Sequence, residues 1–444
     1  FYRPDENSPE TEYLIERRRE LGGFLPARYK GGKSQFQVPD LDLFASQLEG
    51  SGDREISTTM VFVRLLSAMV RDREMKKYVV PIIPDESRTF GMEGMFRQLG
   101  IYAPKGQLYE PEDADQLMFY REEKSGQVLQ EGINEAGAMC SWIAAGTAYS
   151  NHHLSTVPFY IFYSMFGFQR IGDLCWAAGD MRAKGFIVGG TAGRTTLAGE
   201  GLQHQDGHSL ILSSTVPNCV SYDPTYSYEL AVIIRDGLRR MYQEQESVYF
   251  YITVMNEIYV HHTMPKGPED GMRRGMYLLR SESREGNRLK VRLLGSGTIL
   301  REVEAAAAIL AEDYGVDSDI WSVTSFNELA RDGHDTDRLN RLHAGDEQRK
   351  SYVQMCLENS EGPVIAATDY MKLYADQIRA WVPGQYHVLG TDGFGRSDLR
   401  KQLRRFFEVD RQHVVVSALY SLACQEQMPD ATVSEAIRKF NIDP

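Results

Sequence analysis

Cysteine is scarce in this chain of 444 residues: there are five, Cys140, Cys175, Cys219, Cys356 and Cys424, scattered and without a C-x-x-C pair. That excludes a disulfide framework and argues against a zinc site, and it fits reduced thiols in a cytoplasmic compartment. Basic residues are in deficit, 49 Lys and Arg against 62 Asp and Glu. The resulting net charge of −13 opposes the phosphate attraction behind most nucleic-acid binding, so no nucleic-acid partner is expected. Long apolar runs are also missing. The longest aromatic-apolar stretch, residues 157–168, is 12 residues long and holds a proline, a serine and a glycine. A bilayer span needs ~20 apolar residues, so no membrane segment is expected. The first residues, FYRPDENSPETEYLIERRR, lack both a signal peptide's apolar stretch and the acid-poor pattern of a transit peptide. Starting at Phe1, they read as the interior of a longer polypeptide.

Core-forming residues, by contrast, are plentiful. Apolar residues make up 42% of the chain, with 24 Tyr and 19 Phe, which excludes disorder. The length suggests two or three domains. Residues 1–50, with Pro4, Pro9, Pro26 and Pro39, read as a turn-rich leading segment, with regular structure expected only after it. From 51 to 264, helices and strands alternate. A helix follows Ser57, and the strand YVVPII stops at Pro84-Asp85-Glu86. Then come a helix at 134–149, a strand at 158–162, a helix at 173–183, strands at 185–190 and 219–222, a helix at 226–242 and a strand at 248–254. Near-continuous apolar strands separated by helices predict a parallel sheet covered on both faces. The charged, Pro/Gly-rich stretch MPKGPEDG marks a boundary near residue 265. A second α/β unit, 265–444, follows, with strands at 290–294, 319–324, 364–367 and 386–390 and helices at 300–314, 371–380, 397–407 and 411–426.

Several residues could carry chemistry. Asp85 and Glu86 sit at the carboxyl end of an apolar strand, where open parallel sheets place ligands, although paired acids there also suit a solvated turn. Glu135, in Gly-Ile-Asn-Glu-Ala-Gly-Ala, falls in the first turn of a helix with small, apolar flanks. Desolvation there favours proton transfer, and dipole-favoured placement at a helix start is the simpler alternative. VPFYIFYSMFGF surrounds a strand end with aromatic side chains, mostly core, of which Tyr163 and Phe166 are placed to line a site. The loop GEGLQHQDGH, 199–208, gathers Glu200, His204, Asp206 and His208 among glycines after a strand and resembles a binding loop. His152-His153 and His261-His262 read as surface pairs. Gly295-Ser296-Gly297 is a partial phosphate-loop look-alike without its third glycine, and Gly390-Thr391-Asp392-Gly393-Phe394-Gly395 is turn chemistry.

The strings IIPDESRTFGMEGMFRQLGIY, GQVLQEGINEAGA, PFYIFYSMFGFQRIGDLCWAAGD, GGTAGRTTLAGEGLQHQDGHS, ATDYMKLYADQIR and VLGTDGFGRSD together resemble one family over nearly the whole chain. It is the homodimeric, thiamine-diphosphate-dependent pyruvate dehydrogenase (acetyl-transferring), the decarboxylating component of bacterial pyruvate dehydrogenase complexes. The resemblance implies a transketolase-like α/β fold with a pyrimidine-binding middle domain at 51–264 and a C-terminal domain at 265–444. Residues 1–50 would then lead in from an N-terminal domain outside the chain. The family's G-D-G diphosphate signature has no match, since Gly179-Asp180 continues into Met181 and Gly172-Asp173 into Leu174. The Mg2+ ligands are therefore expected outside this chain, and the fragment alone is expected to be inactive.

By the same resemblance, Glu135 hydrogen-bonds the aminopyrimidine of thiamine diphosphate and promotes the tautomer that removes the thiazolium proton. Tyr163, Phe166, Asp85 and Glu86 flank the cofactor. His204 and Glu200, with Tyr163 and more weakly His208, face the substrate. Pyruvate is the implied substrate, a lipoyl group of dihydrolipoyl acetyltransferase the acetyl acceptor, and a cytoplasmic homodimer the active form. A sister thiamine enzyme, such as transketolase or a 2-oxoglutarate decarboxylating component, and a non-catalytic subunit like the β half of split dehydrogenases are the alternatives.

Overall fold

The computed structural model describes residues 2–21, 23, 37–84, 87, 89–110, 112, 120–199, 201–282, 284 and 289–443. Regular structure begins earlier than expected, with helix α1, Pro9–Glu20. Ser8 caps it by accepting from Thr11 N, Pro9 opens it, Glu10 and Glu12 sit in the first turn and Arg17, Arg18 and Arg19 in the last. It buries no residue, so it lacks the apolar stripe that periodicity would detect. Helix α2, Thr58–Arg71, is capped by Ser57 and buries Val61, Phe62, Leu65, Leu66 and Met69.

The first sheet has six strands: β1 Val79–Ile83, β2 Leu129–Gln130, β3 Val157–Tyr163, β4 Phe186–Gly190, β5 Cys219–Tyr222 and β6 Tyr249–Thr253. Their order is β2-β1-β3-β4-β6-β5, and every pairing is parallel. Alternation along β3 shows why the aromatic run suits a central strand. Phe159 and Ile161 join Phe62, Leu65, Leu230 and Ile234 on one face, while Tyr160 and Phe162 join Met139, Trp142 and Phe168 on the other. The covering helices are α3 Glu135–Gly146, α4 Gly167–Asp180 and α5 Ser227–Leu238. Helix α4 starts six residues before the expected position and breaks at Ile171, where φ is −125°. Its first residue has to be glycine, because a Cβ there would collide with the Phe162 ring.

The second sheet runs β7 Met276–Glu282, β9 Asp317–Val323, β8 Lys290–Gly295, β10 Val364–Ala367 and β11 Tyr386–Leu389. Strand β7, absent from the sequence reading, is antiparallel to β9 and forms the edge; the other pairings are parallel. Its helices include α6 Leu300–Tyr314, α7 Phe326–Leu342, α8 Arg411–Cys424 and α9 Asp430–Lys439. Helix α7 was not expected either. Its buried stripe is Phe326, Asn327, Leu329, Ala330, Gly333 and Thr336, four of the six small or polar, which weakens the apolar signal of the helical period.

His261 is not a surface residue. It is buried, its Nδ1 accepts from Ser227 N at 2.9 Å, and its Nε2 lies 3.0 Å from the Ile56 carbonyl. Because Nδ1 must accept, the ring is the neutral Nε2–H tautomer, and burial pushes its pKa down to about 4. Its neighbour His262 is exposed, as expected. Among the described residues, no helix is long and apolar enough to cross a membrane.

Candidate active site

Gly132, at φ +68°, turns the chain into α3, and Asn134 caps that helix by accepting from Gly137 N at 3.0 Å. The cap puts Glu135 at the first helical position, where the dipole favours a carboxylate. The side chain is largely enclosed, with 18% of it exposed, but the setting is not purely apolar. Arg170 Nη1 donates to Glu135 Oε1 at 2.7 Å. Arg170 lies four residues after Phe166, and its guanidinium sits 4.0 Å from the centre of the Phe166 ring. The carboxylate is thus steered by a cation that is itself seated on an aromatic face.

Strand β3 ends at Tyr163, beside Phe166, and the turn Leu202–His204 brings the imidazole of His204 against both. Ring centres lie 5.2 Å from His204 to Tyr163, 5.0 Å from His204 to Phe166, and 6.1 Å from Tyr163 to Phe166. Phe90 packs on Tyr163 at 5.1 Å. Glu135, Arg170, Tyr163, Phe166 and His204 line a cavity of about 300 Å3, together with Pro84, Tyr160, Phe162 and Gln203. Burial raises the pKa of the Tyr160 phenol, and the charge of Glu135 adds to the rise, so the hydroxyl stays protonated. The cavity lies at the carboxyl ends of β1 and β3, as open parallel sheets favour. An aromatic wall with one carboxylate suits a flat heterocycle that is gripped by its faces and addressed at one edge.

Glu135, Tyr163, Phe166 and His204 therefore converge. His208 does not line this cavity. Its Nε2 is 2.9 Å from Gln169 Oε1, and it borders an adjoining space of about 280 Å3 with Arg194, Gln205, Met371 and Phe394. Asp85, Glu86 and Glu200 lie outside the described residues. Arg170 and Tyr160 were missed by the sequence reading. The spacing of Arg170 from Phe166 could have flagged it, whereas Tyr160 is one aromatic among many.

The glycine-rich look-alike at Gly295-Ser296-Gly297 has a different purpose. A Cβ on Gly297 would meet Asp223 Oδ2 at 2.7 Å, and Thr225 Oγ1 donates to the Gly297 carbonyl at 2.7 Å. A carboxylate of the first unit occupies the turn, and burial pushes its pKa up to about 7. The 390–395 turn receives the Arg194 guanidinium, which donates to the carbonyls of Thr391, at 2.7 Å, and Gly393. Among the described residues, no group of three or more His, Cys, Asp or Glu is placed to hold a metal ion.

Comparison with known structures first defines the class. Transketolase from Campylobacter jejuni matches with a TM-score of 0.61 at 16% identity, over 94% of this chain and 51% of that one. This is a transketolase-like fold. Within it, the model of the pyruvate dehydrogenase E1 component middle domain matches residues 36–262, and that of the transketolase-like C-terminal domain matches 275–410. The chain belongs to the pyruvate dehydrogenase E1 component family. The pyruvate dehydrogenase E1 component of Pseudomonas aeruginosa is 64% identical over 445 residues, 100% of this chain and 50% of that protein. That of Escherichia coli K12 is 57% identical over 440 residues, 99% of this chain and 49% of that protein. The chain spans about half the length of the curated relatives it matches.

Proposed function

We propose that this chain forms the pyrimidine-binding and C-terminal portion of a pyruvate dehydrogenase that decarboxylates pyruvate with thiamine diphosphate and passes the acetyl unit to a lipoyl group of dihydrolipoyl acetyltransferase. The observation that carries the reading is Glu135, steered by Arg170 at the rim of an aromatic cavity. The lining fits an aminopyrimidine ring. Phe166 and Tyr163 would hold its faces, and the Glu135 carboxylate would hold a proton at a ring nitrogen. Bound thiamine diphosphate would supply a carbon nucleophile for the keto carbon and a sink for the electron pair released with carbon dioxide.

His204, packed against both rings of the aromatic pair, would stabilise negative charge developing on the substrate oxygen or assist acyl transfer. Asp85 and Glu86 on the cofactor side, and Glu200 and His208 on the substrate side, enter through the family resemblance. A cytoplasmic homodimer belongs to the same proposal, with Glu135 of one subunit serving cofactor held by the partner's N-terminal domain and Mg2+ bound there too. So do a middle domain at 51–264 and a C-terminal domain at 265–444, a division supported by the limits of the two matched family models.

The test is pyruvate-dependent reduction of an artificial electron acceptor with thiamine diphosphate and Mg2+, with 2-oxoglutarate as a control substrate. The chain alone is compared with the chain joined to its N-terminal half. Activity with pyruvate in the joined protein only is the expected result. Activity in the chain alone would overturn the placement of the diphosphate site, and a preference for 2-oxoglutarate would overturn the substrate.

A further inference from the structure

The loop that carries His204 is given its shape by the other domain. It leaves β4 through Thr191, a buried β-branched residue at φ +51°, and then Gly193 at φ +87°. Both values lie in the left-handed region, which is unfavourable for threonine, so the turn needs outside support. That support comes from Asp369, two residues beyond β10 and fully buried. Its Oδ1 accepts from Thr195 N at 2.8 Å and Thr195 Oγ1 at 2.6 Å. Its Oδ2 accepts from Thr196 N at 3.0 Å and Thr196 Oγ1 at 2.6 Å. A Cβ on Gly193 would strike that same oxygen. Four donors on one buried carboxylate form a charge-assisted clamp that no neutral side chain of this shape can reproduce.

The far end of the loop is held as firmly. Gln205, next to His204, donates through Nε2 to the Arg396 carbonyl at 2.8 Å and accepts from Arg396 N at 2.7 Å through Oε1. Met371 N donates to the Gly207 carbonyl at 2.8 Å. His204 is thus suspended between two fixed points, and both are anchored on loops at the carboxyl ends of β10 and β11. We infer that Asp369 is a positioning residue, which sets the imidazole of His204 against Tyr163 and Phe166 by clamping Thr195 and Thr196. The inference rests on the reading of His204 given above.

Asp369→Asn tests it in the complete polypeptide. The amide keeps the shape but turns two donors of Thr195 or Thr196 against an NH2 group. Acetyl transfer is expected to fall about 10- to 100-fold, with cofactor affinity and the KM for pyruvate nearly unchanged. In a His204→Ala background the same substitution is expected to cost less than about twofold, because residues acting through one another are not additive. A full multiplicative loss there would show a general structural role and overturn the inference.

Hydrogen exchange gives a readout independent of turnover. Amides of residues 191–208 are expected to exchange about tenfold faster in Asp369→Asn, with β3 and β4 unchanged. Unaltered exchange in that loop would overturn the clamp. If His204→Ala alone leaves turnover intact, the reading of His204 fails, and with it the inference that the clamp serves that residue. Thr195→Val and Thr195→Ser guard against a variant that does not fold. The valine removes one donor and is expected to lower acetyl transfer, and the serine is expected to restore it. Equal activity of the two would overturn the role of the hydroxyl.

Discussion

The two α/β units put their strand ends to different uses. In the first sheet, the carboxyl ends of β1 and β3 open onto the cavity holding Glu135, Tyr163, Phe166 and His204. In the second, the equivalent ends of β8, β10 and β11 carry Gly297, Asp369 and the 390–395 turn, which close around side chains of the first unit. A position that open sheets usually reserve for ligands is here filled by protein. The difference lies in what meets each edge: the first edge faces a cavity walled by aromatic rings, and the second faces Arg194, Thr195, Thr196 and Asp223.

The sharpest way to break this division is Glu135→Gln in the complete polypeptide. Turnover is expected to fall roughly 100- to 10,000-fold with unchanged melting, as loss of a proton-handling group does. Near-normal turnover would remove the chemistry from the first unit. Next in size is the pH dependence of His261, which ties α5 to the Ile56 segment. Its folded pKa is pushed down to about 4, so below ~6.5 the unfolded chain takes up a proton that the folded ring refuses. Its contribution is whole above ~6.5 and is lost as pH falls toward 4, up to roughly 3 kcal/mol. Urea titrations at several pH values should show a steeper acid loss for the wild type than for His261→Gln, and equal slopes would refute it.

Gly193→Ala probes the clamp from the first unit's side. The collision with Asp369 and the positive φ should cost about 2 kcal/mol, read as a drop in thermal midpoint. A neutral effect would mean that the loop relaxes freely. The smallest effect is expected for Arg170→Met. The ion pair is half open to solvent on the arginine side, so stability should change by less than about 1 kcal/mol. A larger loss would make Arg170 a support of the cavity wall rather than a guide for Glu135.

Most of the first sheet was legible in the sequence because its strands are buried on both faces and read as unbroken apolar runs, β3 above all. Glu135, Tyr163 and Phe166 could each be singled out because each sits where a periodic element begins or ends, whereas their convergence followed only from the family resemblance. Helices α1 and α7 were not legible: α1 buries no residue, and the buried stripe of α7 is interrupted by Asn327, Gly333 and Thr336. Residues whose meaning depends on distant partners stayed hidden. Arg170 reaches across 35 positions to Glu135, and Thr195 across 174 to Asp369. His261 looked like half of a surface pair because burial by Ser227 and Ile56 leaves no mark on neighbouring residues.

The Asp369 clamp also bears on how freely such proteins can be recombined. With the proposed boundary near residue 265, exchange of everything beyond it between relatives would look like a clean graft. Yet such a graft would also replace the mould in which the His204 loop is cast. A chimera that carries over Asp369, Thr391 and Arg396 along with the backbone that presents them should keep a working site. One that preserves only the sheet should fold into two sound halves with no agreement about where the imidazole belongs.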